Sequence, residues 1–132
     1  MTATILCIDD DRYSSQILSR DFRIEGYEVE MAHDGETALA RLRECTPDLV
    51  TLDILLPKRD GFEVLEGIRN GGGPGHHLPV VMLTGCTITP SYQERADRLH
   101  ADAILKKPVP LDEILELVSK QIGAGGRATQ SR

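Results

Sequence analysis

The sequence predicts a doubly wound α/β fold, in which a five-stranded parallel sheet carries helices on both faces. Strand and helix patterns alternate five times along the chain, which favours right-handed βαβ units. The predicted strands are nearly continuous apolar runs, as expected for a sheet that is buried on both sides. With 132 residues, the chain has room for one domain with a substantial core but not for two.

Five segments have the pattern of β-strands. Four are mostly apolar and one alternates between apolar and polar residues, and turn-forming residues separate them from their neighbours. These segments are residues 4–8, 27–31, 49–53, 79–83 and 103–105.

A helix is predicted after each strand, because apolar residues recur there at spacings of three and four. Asp11 is expected to be the N-cap of the first helix, and Thr89 followed by Pro90 is typical of the start of the fourth. Gly26 and Gly123 are typical of the residue that follows a helix.

The predicted domain spans residues 1–122. Residues 123–132 show no periodicity and are expected to form a flexible tail or the beginning of a linker. The Gly-rich segment NGGGPGHH, residues 70–77, is expected to be a surface loop.

The composition narrows the possible partners and locations. Fifteen Lys and Arg against 21 Asp and Glu give a net charge of −6, which argues against direct nucleic-acid binding. No apolar run approaches the roughly 18 residues of a membrane span, and no signal peptide is visible. We therefore expect a cytoplasmic protein without membrane association. The three scattered cysteines lack metal-ligand spacing and predict no disulfide framework.

Polar residues stand at the ends of four predicted strands. Asp9 and Asp10 follow the first strand, Asp53 ends the third, Thr84 follows the fourth and Lys107 comes shortly after the fifth. The carboxyl ends of parallel strands lie at one edge of the sheet, where open α/β folds form their sites. The sequence therefore predicts a site at this edge.

The residue types at this edge predict its chemistry. Like charges about 4 Å apart repel by roughly 4 kcal/mol at an effective dielectric of about 20. We therefore expect a cation to bind among these carboxylates and offset their repulsion. Magnesium suits a site with few protein ligands and several waters. A hydroxyl (Thr84) and an ammonium (Lys107) can bind the outer oxygens of a phosphoryl group. Asp53 is then the candidate nucleophile that forms an aspartyl phosphate.

Four blocks of residues occur in order between residues 5 and 122: ILCIDDD, PDLVTLDILLPKRDGFEVL, PVVMLTG and ADAILKKPV. With these blocks the chain resembles the receiver domain of bacterial two-component response regulators, the CheY-like domains. The resemblance implies a flavodoxin-like (βα)5 fold with strand order 2-1-3-4-5. It also implies a signalling switch rather than an enzyme, since such a domain catalyses only its own phosphorylation and dephosphorylation.

The resemblance implies a phosphorylation site and a magnesium site. Asp53 would accept a phosphoryl group from a sensor histidine kinase or a histidine phosphotransfer protein. Asp10 would bind Mg²⁺ directly and Asp9 would help through water. The metal ligands would be completed by Asp53 and by the backbone carbonyl of Leu55.

The resemblance also implies how the signal is passed on. Thr84 and Lys107 would bind phosphoryl oxygens, and the Lys107–Pro108 peptide bond would be cis. Phosphorylation would change the surface formed by the fourth helix, the fifth strand and the fifth helix, and so control a downstream protein or an effector domain beyond this chain. A monomer or a phosphorylation-dependent dimer is expected. Ile104 departs from the family, which usually has Tyr or Phe there.

Two alternatives remain open from the sequence. One is a magnesium-dependent phosphatase of the haloacid dehalogenase type, with Asp9 as nucleophile and Asp11 as its second carboxylate. Against it, Tyr13 stands where that pattern requires Thr or Val, and the chain has no room for a substrate cap. The other alternative is a receiver-like scaffold that is never phosphorylated.

Overall fold

The computed structural model describes residues 2–71 and 77–124, which form a five-stranded parallel sheet with five helices. The strand order is β2-β1-β3-β4-β5, and every neighbouring pair is parallel. The predicted fold class and strand order are therefore confirmed. The strands are β1 (Thr4–Ile8), β2 (Glu28–Ala32), β3 (Leu49–Asp53), β4 (Val80–Thr84) and β5 (Ala103–Lys106).

The helices cover both faces of the sheet, because successive side chains of a strand point to opposite sides. On one face, α2, α3 and α4 pack over a hydrophobic cluster that includes Leu52 and Phe62. On the other, α1 and α5 pack over a second cluster that includes Phe22 and Val118. The helices are α1 (Arg12–Ile24), α2 (Gly35–Glu44), α3 (Gly61–Asn70), α4 (Pro90–Arg98) and α5 (Leu111–Ala124).

Some element boundaries differ from the prediction by one or two residues. β2 and β4 lie one residue further along the chain, and β5 includes Lys106, because pairing between neighbouring strands decides where each strand ends. Gly123 was expected to follow α5, but the helix continues through it to Ala124, within the one or two residues by which helix ends commonly vary. Residues 72–76 of the predicted loop and 125–132 of the predicted tail lie outside the described residues.

The predicted helix caps are present. The Asp11 carboxylate accepts hydrogen bonds from the backbone N–H groups of Tyr13 and Ser14 at the start of α1. Thr89 caps α4 by accepting from a backbone N–H in the first turn, with Pro90 as the first helical residue. After α1, Gly26 has a φ of 100°, a conformation that side chains disfavour. Within the described segments, no helix is long and apolar enough to cross a bilayer.

Gly61, the first residue of α3, lies directly against the end of β3. Its N–H donates to the Ile54 carbonyl oxygen at 2.7 Å. A Cβ placed on Gly61 would overlap the Asp53 carbonyl oxygen and come within 2.8 Å of the Ile54 Cα. Both obstacles are main-chain atoms, which cannot rotate away as a side chain can. Gly61 therefore lets α3 begin in contact with the backbone that carries Asp53.

We predict that Gly61→Ala lowers the free energy of unfolding by about 1–3 kcal/mol, the usual cost of forcing extra volume into a packed site. Gly85→Ala is the matched control, because a Cβ there meets no atom within 4 Å. Urea denaturation of the two variants and the wild type measures the difference. Equal midpoints for Gly61→Ala and Gly85→Ala would contradict this account of the α3 contact.

Candidate functional site

Three carboxylates meet at the carboxyl edge of the sheet. β1 and β3 are neighbours in parallel register, so Asp9 and Asp10 after β1 lie beside Asp53 at the end of β3. One carboxylate oxygen of each lies within 4.8 Å of the others. The Asp9 and Asp53 side chains are only 14% and 12% exposed, whereas Asp10 is exposed. The structure thus brings together the carboxylates that the sequence predicted to be neighbours.

Lys107 supplies a positive charge to this cluster. Its Nζ donates to Asp9 Oδ2 at 2.8 Å and to Asp53 Oδ2 at 3.3 Å. The backbone places it there, since the Lys107 N–H donates to the Thr84 carbonyl oxygen at 2.7 Å just beyond β5. The Lys107–Pro108 peptide bond is cis, as predicted. The Lys107 ammonium therefore contacts two carboxylates, one just after β1 and one at the end of β3.

Burial and charge set the ionisation of the site. Burial raises the pKa of Asp53, the Lys107 ammonium lowers it, and the negative charge of the neighbouring Asp9 raises it further. The pKa of Asp53 therefore lies above its usual range. For Lys107, burial alone would lower the pKa, but the hydrogen bonds and charges of Asp9 and Asp53 outweigh burial and raise it. Lys107 contacts two of the three clustered carboxylates, so the cluster keeps a net negative charge that a further cation can neutralise.

The donor set suits Mg²⁺. All three side chains offer oxygen, which hard cations prefer, and Mg²⁺ binds oxygens at about 2.0–2.1 Å, so ligands on its opposite sides are about 4.2 Å apart. Oxygens that already lie within 4.8 Å of one another therefore need only small movements to bind one ion. The participation of the Leu55 backbone carbonyl stays a prediction.

Thr84 ends β4, one position beyond Leu83, the residue paired with Asp53 across the sheet. It is fully buried, and its Oγ1 accepts a hydrogen bond from the Cys86 N–H at 3.0 Å. Its own hydroxyl proton can still be donated. Because its carbonyl oxygen also binds the Lys107 N–H, Thr84 joins the loop after β4 to the residue that contacts both carboxylates.

His33 was not identified from the sequence as a residue of this site. It follows β2, and its Nδ1 lies 2.9 Å from the Asp9 carbonyl oxygen. Asp9 and Asp53 were identified because they are polar residues at strand ends. His33 also stands at a strand end, so the same rule could have identified it. Asp11 belongs elsewhere, since its carboxylate is engaged in capping α1.

A cluster of carboxylates facing a lysine at the carboxyl edge of a parallel sheet defines a candidate phosphoryl-acceptor site. Residues 5–119 match the family model of the response regulator receiver domain. The chain therefore belongs to the response regulator receiver domain family. The receiver domain therefore replaces the haloacid dehalogenase-type phosphatase as the interpretation of this site.

Relatives and solved structures agree with this assignment. Response regulator MprA of Mycobacterium tuberculosis is 40% identical over 117 residues, covering 87% of this chain and 48% of that protein. The chain thus spans about half the length of this curated relative. A CheY-like receiver domain protein from Methanospirillum hungatei superposes with a TM-score of 0.88 at 27% identity, covering 94% of this chain and 96% of the other. Vibrio cholerae CheY4 superposes with a TM-score of 0.84 at 29% identity, covering 91% of this chain and 98% of the other.

We predict that Asp53→Asn is more stable than the wild type at neutral pH without metal. Because the pKa of Asp53 is raised in the folded state, the protonated carboxyl contributes to stability. That contribution is fully present below the unfolded pKa and is lost as pH rises through the folded pKa. Asparagine removes that loss, so its advantage is expected to shrink as pH falls towards 4. Thermal unfolding in chelator between pH 4 and pH 7.5 measures this.

Glu66→Gln is the control, because Glu66 is an exposed carboxylate on α3 and its neutralisation changes the net charge equally. An Asp53→Asn variant that gains no more stability than Glu66→Gln at pH 7.5 would contradict the destabilising effect assigned to the ionised Asp53 carboxylate.

Proposed function

We propose that this chain is a phosphorylation-dependent signalling switch that receives a phosphoryl group on Asp53 from a sensor histidine kinase or a histidine phosphotransfer protein. The observation that supports it most directly is the position of Asp53, whose carboxylate contacts the Lys107 ammonium and has an oxygen within 4.8 Å of carboxylate oxygens of Asp9 and Asp10. Membership of the receiver domain family supports the same role.

Asp53 acts as the nucleophile in the proposed transfer. A carboxylate oxygen forms a bond to phosphorus while the bond between phosphorus and the donor histidine nitrogen breaks, and the nitrogen keeps the electron pair. The carboxylate must be ionised to attack. Lys107 favours the ionised form by opposing the effect of burial on the pKa of Asp53. Its ammonium also faces the negative charge of the incoming phosphoryl oxygens.

The metal ligands in this proposal are Asp9, Asp10, Asp53 and the backbone carbonyl of Leu55. Asp10 would bind Mg²⁺ directly and Asp9 through water. When bound, Mg²⁺ neutralises the carboxylates and draws charge from the phosphoryl oxygens.

Phosphorylation changes the partners of two residues in this scheme. Lys107 exchanges its contact with the Asp53 carboxylate for one with a phosphoryl oxygen, and the Thr84 hydroxyl donates to another. Because Thr84 Oγ1 accepts from Cys86, its movement shifts the loop before α4. A ligand-dependent shift of this kind selects among conformations of the α4-β5-α5 surface.

The altered surface controls a downstream protein or an effector domain, and the chain acts as a monomer or as a dimer formed on phosphorylation. The net charge of −6 supports a protein partner rather than direct contact with nucleic acid. The proposed location is the cytoplasm.

A scaffold that is never phosphorylated is the alternative. In a scaffold, the partly buried pairing of Lys107 with Asp9 and Asp53 would be a purely structural feature. The two functions differ on whether Asp53 reacts with a phosphoryl donor.

Intact mass spectrometry after incubation with acetyl phosphate tests the proposal. We expect a gain of one phosphoryl group that requires Mg²⁺ and is absent from Asp53→Asn, because that variant lacks the nucleophile. Failure of the wild type to gain mass would favour the scaffold, and a gain that persists in Asp53→Asn would show that another residue accepts the group.

Neighbouring lysines offer a matched comparison in the same assay. Lys107→Ala is expected to slow phosphorylation at least about tenfold, the effect of losing about 1.4 kcal/mol of transition-state stabilisation. Lys106→Ala should leave the rate nearly unchanged, because Lys106 is exposed and Lys107 makes both carboxylate contacts. Equal rates for the two variants would contradict the role proposed for Lys107.

A further inference from the structure

We propose that His33 is a positioning residue for the metal site, one that holds the peptide between Asp9 and Asp10 so that the Asp10 carboxylate faces the cation. This inference rests on the proposed function, since it concerns the Mg²⁺ affinity of the same site. It assigns a role to a side chain that neither binds the metal nor touches the phosphoryl group.

The contact identifies which ring nitrogen acts. His33 Nδ1 lies 2.9 Å from the Asp9 carbonyl oxygen. A carbonyl oxygen only accepts hydrogen bonds, so Nδ1 carries the proton and donates it. The bond joins residues 24 positions apart in the chain, and it ties the loop after β1 to the residue that follows β2.

The Asp9 carbonyl oxygen controls the orientation of Asp10. The peptide unit is planar and contains the carbonyl of Asp9, the N–H of Asp10 and the Cα atoms of both residues. Fixing the oxygen therefore fixes the plane from which the Asp10 side chain projects. The N–H of Asp9 is held as well, since it donates to the Ala32 carbonyl oxygen at 3.1 Å. Both backbone polar groups of Asp9 are thus bound by consecutive residues of one segment.

Asp10 depends on its backbone for its position. Its side chain is exposed, and within residues 2–71 and 77–124 no side chain or backbone group forms a hydrogen bond or ion pair with its carboxylate. Asp9 and Asp53, by contrast, are both held by Lys107. Of the three carboxylates, Asp10 is therefore the one whose placement relies most on the orientation of the preceding peptide.

The segment that carries His33 is itself well anchored. Ala32 is the last residue of β2 and pairs with Ile8 of β1. Asp34 caps α2 and lies 3.9 Å from Lys58 Nζ. The Gly35 N–H donates to the Pro57 carbonyl oxygen at 3.2 Å. Residues 32–35 therefore connect the loop after β1, which carries Asp9 and Asp10, with the loop after β3, which follows Asp53. His33 is thus part of a segment that is anchored on both sides.

Three substitutions of His33 separate this role from general packing. Asparagine carries its amide nitrogen on Cγ, as Nδ1 is carried in histidine, so His33→Asn keeps a donor at that position. Glutamine extends by one more carbon, and alanine removes the donor altogether. Arg41→Ala is the control, because it removes a surface ion pair with Glu30 of β2, the strand that ends just before His33.

Isothermal titration of the whole chain with MgCl₂, together with thermal unfolding in chelator, tests the proposal. We expect His33→Ala and His33→Gln to bind Mg²⁺ about two- to tenfold more weakly than the wild type, which is the range for one net hydrogen bond. His33→Asn and Arg41→Ala should retain affinity close to that of the wild type.

Unchanged affinity in His33→Ala, or a loss in His33→Asn as large as in His33→Gln, would overturn the inference while leaving the proposed function intact. If His33→Ala does not fold, the comparison of His33→Asn with His33→Gln decides the question. A wild-type chain that binds no Mg²⁺ would instead contradict the proposed function itself.

Discussion

The contacts of the Lys107 ammonium with Asp9 and Asp53 are the interaction on which the site depends. Each carboxylate is mostly shielded from water, and their repulsion grows as the surrounding dielectric falls. One ammonium placed against both offsets that repulsion without removing it, which leaves the cluster anionic. The site is therefore held together and remains able to bind a cation.

Backbone contacts at the same edge of the sheet hold the carboxylates where Lys107 can reach them. Gly61 allows α3 to begin against the Asp53 carbonyl, and the segment after β2 binds the main chain of Asp9. The Thr84 carbonyl oxygen in turn holds the backbone of Lys107. The loops are thus fixed through main-chain atoms, while the side chains of Asp9, Asp53 and Lys107 contact one another.

The sequence predicted the features that depend on local patterns. Apolar runs located the strands, the cap of α1 was correct at Asp11, and polar strand ends marked the edge where the carboxylates meet. Features created by distant contacts were missed. The bond from His33 to Asp9 crosses 24 residues, and the tight fit of Gly61 exists only once α3 lies on β3. Ile104 packs in the cluster that contains Phe62 and Tyr92, a neighbourhood that spacing alone did not indicate.

The bond between Lys107 and Asp9 joins residues 98 positions apart. Contacts of such long range form only after the intervening chain has been ordered. During synthesis, Asp9 and Asp53 emerge well before Lys107, so the early part of the chain carries both carboxylates without the ammonium that contacts them. These contacts therefore exist only in a chain that extends beyond β5, and a chain truncated before that strand retains Asp9 and Asp53 without the ammonium that contacts them.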